Sequence, residues 1–143
     1  MLDAIMNAVE KLDFDLWAFV IMPEHVHLLV SPHHKDYQIS KLLYALKRPV
    51  TDKAIRYFAE NDVPADKQEP FWDIQPNGRG AFRFWQRGGG YDRNLWSPDE
   101  ISKTINYIHQ NPVRRGLCER PTDWEWSSAK DYEEDAEASI ITF

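Results

Sequence analysis

Two histidines one residue apart, His25 and His27, are the first residues whose type and spacing could do chemistry. They lie in the run HVHLLV, which favours a strand. Residues two apart on a strand leave the same face, so both imidazoles can converge on one divalent ion. The same spacing equally suits two histidines that pack or hydrate on a sheet face. A second pair, Tyr107 and Asn111, is one helical turn apart and shares a helix face. At about 100° per residue, Tyr107 falls roughly 120° and Asn111 about 80° from the apolar stripe Ile101, Ile105, Ile108, so both look sideways from the core. Alone, that pair reads as a surface tyrosine beside a helix-ending asparagine. His33 and His34 follow Pro32 in a turn and read as hydrated loop residues within reach of a phosphate.

A third set is basic and aromatic. Arg79, Arg83, Arg87, Arg93, Arg114 and Arg115 are interleaved with Phe82, Phe84, Trp85, Tyr91 and Trp96, offering charge for phosphates and rings for unpaired bases. At least half of these are explained as a solvated basic face over core aromatics. If FRFWQ is a strand, Phe82 and Phe84 share the core face while Arg83, Trp85 and Arg87 share the other. Trp85 is then either sheet packing or a stacking platform. Gln86 and Arg87, beside the glycine run, are the preferred contacts to nucleic acid, with Lys47 and Arg48 behind them.

These residues need elements to hold them. Leu2, Ile5, Met6, Val9 and Leu12 recur at helical spacing, predicting an amphipathic first helix. LWAFVIM and HVHLLV, interrupted at Pro23-Glu24, predict a tight hairpin with both histidines on its second strand. Ile39, Leu42, Leu43 and Leu46 mark a helix that Pro49 should stop, after which Thr51 can cap a stretch through Ala54, Ile55 and Phe58. From about residue 61 to residue 80 the prolines and glycines predict a long functional loop. Gly88, Gly89 and Gly90 predict a sharp turn or a close approach. Ser97-Pro98-Asp99-Glu100 carries a capping box and opens a helix that Pro112 should end near Asn111. Trp124 and Trp126 sit in a turn-rich segment, followed by an acidic linker and the β-favouring run Ser139–Phe143.

The 143 residues suffice for one domain, residues 1–143. The net charge of −6 argues against whole-surface attraction to nucleic acid. It is segregated, however: Asp131, Glu133, Glu134, Asp135 and Glu137 crowd the C-terminus, away from the arginines between Arg79 and Arg93. Cys118, the one cysteine, cannot pair within the chain and fits a reducing compartment. The first residues suit neither a signal peptide nor a membrane span. A cytoplasmic protein with no membrane partner is expected.

MPEHVHLLVSP closely resembles the signature of single-tyrosine HUH transposases, U being a bulky apolar residue, here Val26. YIHQNPVRRGL resembles their catalytic helix, and FWQRGGGYDR with WEWSSAKDY resembles the REP-associated tyrosine transposase branch. The similarity covers residues 2–132. It implies an α+β domain, a ferredoxin-like antiparallel sheet flanked by helices. It further implies Tyr107 as catalytic nucleophile, His25, His27 and Asn111 as metal ligands, and magnesium or manganese as the divalent metal. Single-stranded or hairpin DNA is the implied substrate, contacted by Lys47, Arg48, Gln86, Arg87, Arg93, Arg114 and Arg115, and a homodimer the implied assembly. Cleavage would pass through a 5′-phosphotyrosine and end in strand transfer rather than hydrolysis.

Two departures stand out. Glu24 occupies the place where the family usually has Asn, adding a negative charge beside His25. Met1 already lies at the start of the first helix, so the family's usual N-terminal strand is missing and its neighbours would be left with unpaired backbone groups. Residues 139–143, SIITF, resemble that strand and are the expected substitute, within the chain or swapped into a partner; a frayed tail with a start codon placed too late is the alternative. The competing functional readings are a non-catalytic, domesticated nucleic-acid-binding module and, last, an unrelated metal hydrolase with a water nucleophile, for which further ligands and a base are lacking.

Overall fold

The computed structural model describes residues 1–88 and 90–140. It is α+β, with six helices and two antiparallel two-stranded sheets among the described residues. The backbone groups into two compact units, one of Met1, Asp3–Ala8 and Gln38–Asp92, the other of Leu2, Val9–Tyr37 and the residues from Arg93 onward. Helix α1 (Leu2–Lys11) is shared between them. It buries Ile5 and Val9 of the expected stripe together with Ala4 and Ala8, and leaves Met6 half exposed.

The second unit contains the hairpin. Strand β1 (Phe14–Ile21) pairs antiparallel with β2 (Val26–Pro32), and Met22 N–H donates to the His25 carbonyl at 2.8 Å, so only Pro23 and Glu24 make the turn. His25 therefore stands on the rung just before β2 rather than within it. Ala18, Val20 and Met22 alternate onto one face and are buried with Ile108, against Leu29, Ile105 and Trp124. Directly paired residues of an antiparallel ladder share a face, and Val20 pairs with His27, so His27 stands on this core face. Helix α4 (Pro98–His109) covers it. Ser97 caps its start as expected, Oγ accepting from Glu100 N–H at 3.2 Å, while Glu100 Oε2 accepts from the Trp96 N–H, one residue before the cap, at 3.2 Å.

The two edges of the hairpin differ. On the outer edge of β1, Phe19 N–H donates to Ser128 Oγ at 2.9 Å and Ile21 N–H to the Trp126 carbonyl at 2.8 Å. The Ile21 carbonyl accepts from Trp124 Nε1 at 3.0 Å, and the Trp17 carbonyl from Tyr132 Oη at 2.6 Å. The turn-rich WEWSS segment thus closes this edge. Because Phe19 and Ile21 point their backbone groups away from β2, their partners Leu28 and Val26 point theirs away from β1. Among the described residues those outward groups on β2 meet no backbone partner. The unpaired edge expected from the sequence is there. Its expected filler is not seen: helix α6 (Ala129–Ile140) takes up the acidic linker and makes Ser139 and Ile140 helical, and residues 141–143 lie outside the described ones.

In the first unit, helix α2 runs unbroken from Ile39 to Glu60 with Pro49 inside it. Pro49 was expected to stop it, yet Thr51 Oγ1 and Trp85 Nε1 both donate to the Lys47 carbonyl, at 3.0 and 3.1 Å, and secure the turn around it. The residues expected to form an irregular loop contain a short helix α3 (Ala65–Gln68), a 3-10 turn (Glu69–Phe71) and a hairpin of β3 (Trp72–Ile74) and β4 (Gly80–Phe82). Phe58, Phe71, Phe82 and Phe84 gather into an aromatic core, the Phe71 ring stacked on both Phe82 and Phe84 at 5.9 and 5.8 Å. This clustering, rather than a long FRFWQ strand, organises the segment. Trp85 is packing: its indole N–H is spent on the Lys47 carbonyl. Gly88 has φ +95, so the backbone turns sharply there; Gly89 lies outside the described residues.

Candidate active site

The hairpin turn and α4 bring three of the four singled-out side chains together. His25 Nε2 and His27 Nε2 face one another at 3.1 Å. The His27 ring meets the Tyr107 ring edge-to-face at 5.7 Å. Tyr107, on the flank of α4 as its helical angle predicts, is 47% exposed and so open to a macromolecular substrate. Burial holds the His27 imidazole below its ordinary pKa, aided by its electrostatic interaction with the His25 ring and with Arg114, so it is neutral at neutral pH with a lone pair to give.

These two nitrogens fit a divalent ion. With metal–nitrogen bonds of about 2.1 Å, a 3.1 Å separation subtends about 95° at the metal, an ordinary angle between neighbouring ligands. Asn111 is placed differently. Its Nδ2 donates to the Tyr107 carbonyl at 2.8 Å and reaches the Ile108 carbonyl at 3.5 Å, while its Oδ1 accepts from Arg114 Nη2 at 3.3 Å. Pro112 bears only on the longer contact: a helix would serve the Ile108 carbonyl with the N–H four residues on, which proline lacks, and the Gln110 N–H reaches that carbonyl as well. Asn111, buried at 6% exposure, caps the end of α4. Beyond it α5 (Asn111–Arg114) begins.

The arginines beside the site are engaged. Arg114 lies over the Tyr107 ring, its guanidinium carbon 4.1 Å from the ring centre. Arg115 pairs with Glu24, whose carboxyl it holds below the usual range. The unusual Glu24, 4.0 Å from His25 Nδ1, is thus charge-compensated and tied to the end of α5. The sequence carried no signal for that tie, because the two residues are ninety-one apart. Arg93 stands close enough to act electrostatically on Glu100.

The other expected contacts belong to the first unit. Lys47 Nζ reaches the Gly88 carbonyl at 3.4 Å and lies over the Trp85 ring. Arg48 is held by Asp52 at 2.9 Å. Arg87 is held by Asp73 and Gln86 lines the adjoining groove. His33 and His34 are tied rather than merely hydrated: His33 contacts Asp13 and Asp15 at 2.8 Å each, and His34 contacts Asp13 at 2.6 Å. His109, passed over in the sequence, is buried with Nε2 on Ser128 Oγ at 2.9 Å, which anchors α4 to the segment closing β1.

Residues 1–111 match the family model for IS200-like transposases. The chain belongs to that family. Among IS200-like relatives, a Haemophilus influenzae protein described as a REP-associated tyrosine transposase is 29% identical over 141 residues, covering 96% of this chain and 69% of the relative. The structure of a REP-associated tyrosine transposase bound to a REP hairpin aligns with a TM-score of 0.62 at 19% identity, over 91% of this chain. That likeness shows the IS200-like fold is shared. The chain spans 63% of that structure's length. No helix among the described residues is long and apolar enough to cross a membrane.

Proposed function

We propose that the protein cuts and rejoins single-stranded or hairpin DNA through Tyr107. The observation that carries this is the placement of Tyr107 against His27, which in turn faces His25, on a flank open to a strand. In this reading His25 and His27 hold a magnesium or manganese ion, which when bound polarises a phosphoryl oxygen and offsets developing charge. The Tyr107 oxygen attacks phosphorus and gives up its proton; the bond to the 3′ oxygen breaks and that oxygen leaves as a hydroxyl. Tyr107 is left as a 5′-phosphotyrosine, which a second 3′ hydroxyl attacks to reseal the strand and free the phenol. Arg114, over the Tyr107 ring, holds the nucleophile in place and presents charge to the phosphate. By its family resemblance the protein acts as a homodimer in the cytoplasm.

One observation favours a second reading, a module that binds DNA without cutting it. The Asn111 amide oxygen accepts from Arg114 at 3.3 Å and its amide nitrogen serves the end of α4, so the side chain has a place in the fold without a metal. One experiment separates the two: incubation with a labelled hairpin-bearing single strand and manganese, followed by denaturing electrophoresis, with Tyr107→Phe in parallel. A covalent band lost in the variant is expected. Bound DNA with no covalent band in the parent protein would leave the binding module.

A further inference from the structure

We infer that a groove in the first unit binds one unpaired nucleotide of a DNA strand, its base against Trp72 and its phosphate on Arg83 and Arg87. This rests on the reading that the chain takes single-stranded DNA, and adds a site apart from the Tyr107 chemistry. The groove, about 360 Å³, is lined by residues that include Phe71, Trp72, Asp73, Arg83, Gln86 and Arg87, a volume in the range of small-ligand sites.

Its charged side is preorganised. Arg83 Nε and Arg87 Nε and Nη2 all donate to the same oxygen, Asp73 Oδ2, at 2.7, 2.9 and 2.7 Å. One carboxylate thus fixes two guanidiniums side by side and leaves a net positive charge. Those contacts leave both terminal nitrogens of Arg83 and Nη1 of Arg87 without a protein hydrogen bond among the described residues. Planar guanidinium donors held in this way match the oxygens of a phosphate.

Its aromatic side is equally fixed. Trp72 is 53% exposed, so part of its ring is open to solvent. The ring is not loose: a Cβ on Gly80 would meet it at 3.4 Å, and it packs edge-on against Phe82. A rigid indole with a free face gives a base a stacking platform at little entropic cost. Gln86, whose amide offers both donor and acceptor, lines the same groove and can meet a base edge.

The test uses the Tyr107→Phe protein, so that binding is read without chemistry. Fluorescence anisotropy follows labelled oligothymidylate and, separately, a blunt hairpin, across a salt series. Trp72→Ala is expected to weaken oligothymidylate binding roughly five- to 150-fold, and Arg87→Ala to lower the salt slope by about one. Both should change hairpin affinity much less. If the unsubstituted groove binds neither probe, the wider DNA reading fails; if it binds both and the folded variants bind equally well, only the groove is overturned. Ultraviolet cross-linking of oligothymidylate to the Tyr107→Phe protein reads the same site with no groove substitution. A cross-link on the Trp72 peptide is expected, and one confined to peptides outside residues 70–87 overturns the proposal.

Discussion

Replacing Asn111 by alanine separates what its side chain does for the fold from what it could do for a metal. The substitution removes the donor that serves the Tyr107 carbonyl at 2.8 Å and the Ile108 carbonyl at 3.5 Å. Asn111 is buried, so water compensates poorly, and a buried acceptor left unsatisfied costs about 1–3 kcal/mol. Alanine's better helix propensity returns roughly 0.5 kcal/mol, leaving a net loss of about 0.5–2.5 kcal/mol. For a chain of this size that lowers the melting temperature by roughly 1–10 °C. The assay is urea unfolding with chelator present, so that no bound metal contributes. Asn111→Asp sharpens it. The introduced carboxylate can accept from Arg114, yet its other oxygen opposes two carbonyls, so the variant should also lose stability and regain some as falling pH protonates the carboxyl. If both variants unfold at the parent's urea concentration in chelator, the capping role is wrong and ligation becomes the better account.

Three further outcomes follow from the geometry. His33 is held above its ordinary pKa by Asp15 and Asp13, so its contribution is full below the unfolded value of 6.5 and lost as pH rises through the folded one. His33→Gln should therefore flatten the fall in unfolding midpoint over that window; parallel curves would remove the effect. Glu24→Gln releases Arg115 from its partner, and DNA binding should steepen in salt dependence by about one phosphate contact; an unchanged slope would mean that Arg115 meets no phosphate. Pro49→Ala gives the middle of α2 a missing N–H and should raise stability by about 1–3 kcal/mol, read from the urea midpoint; a fall would show that the aromatic core requires the proline-adapted helix.

Much of the site was legible in the sequence, because its parts obey local rules. The period of two around Val26 put His25 and His27 on one face, and the helical angle put Tyr107 on an open flank. The cap at Ser97 needed only neighbours in sequence. What stayed hidden depended on distant partners. Asn111 was legible as a neighbour of Tyr107 but not as the group whose amide serves the carbonyls at the end of α4. Asp73 looked like a loop residue until the β3–β4 hairpin brought it under Arg83 and Arg87. Pro49 failed as a stop signal, and the turn around it is tied by Trp85, from a remote segment, to the Lys47 carbonyl.

The unequal edges of the β1–β2 hairpin give it a direction of growth. On β1, side-chain and main-chain groups from Trp124 to Tyr132 occupy the backbone groups a newcomer would need, so the amides of Phe19 and Ile21 should exchange with solvent slowly despite lying at a margin. On β2 the amides of Val26 and Leu28 are the fast ones, and any strand that joins the sheet joins there. Such an addition would lie alongside His27, so extending this sheet and stiffening the mount of an imidazole would be one physical event.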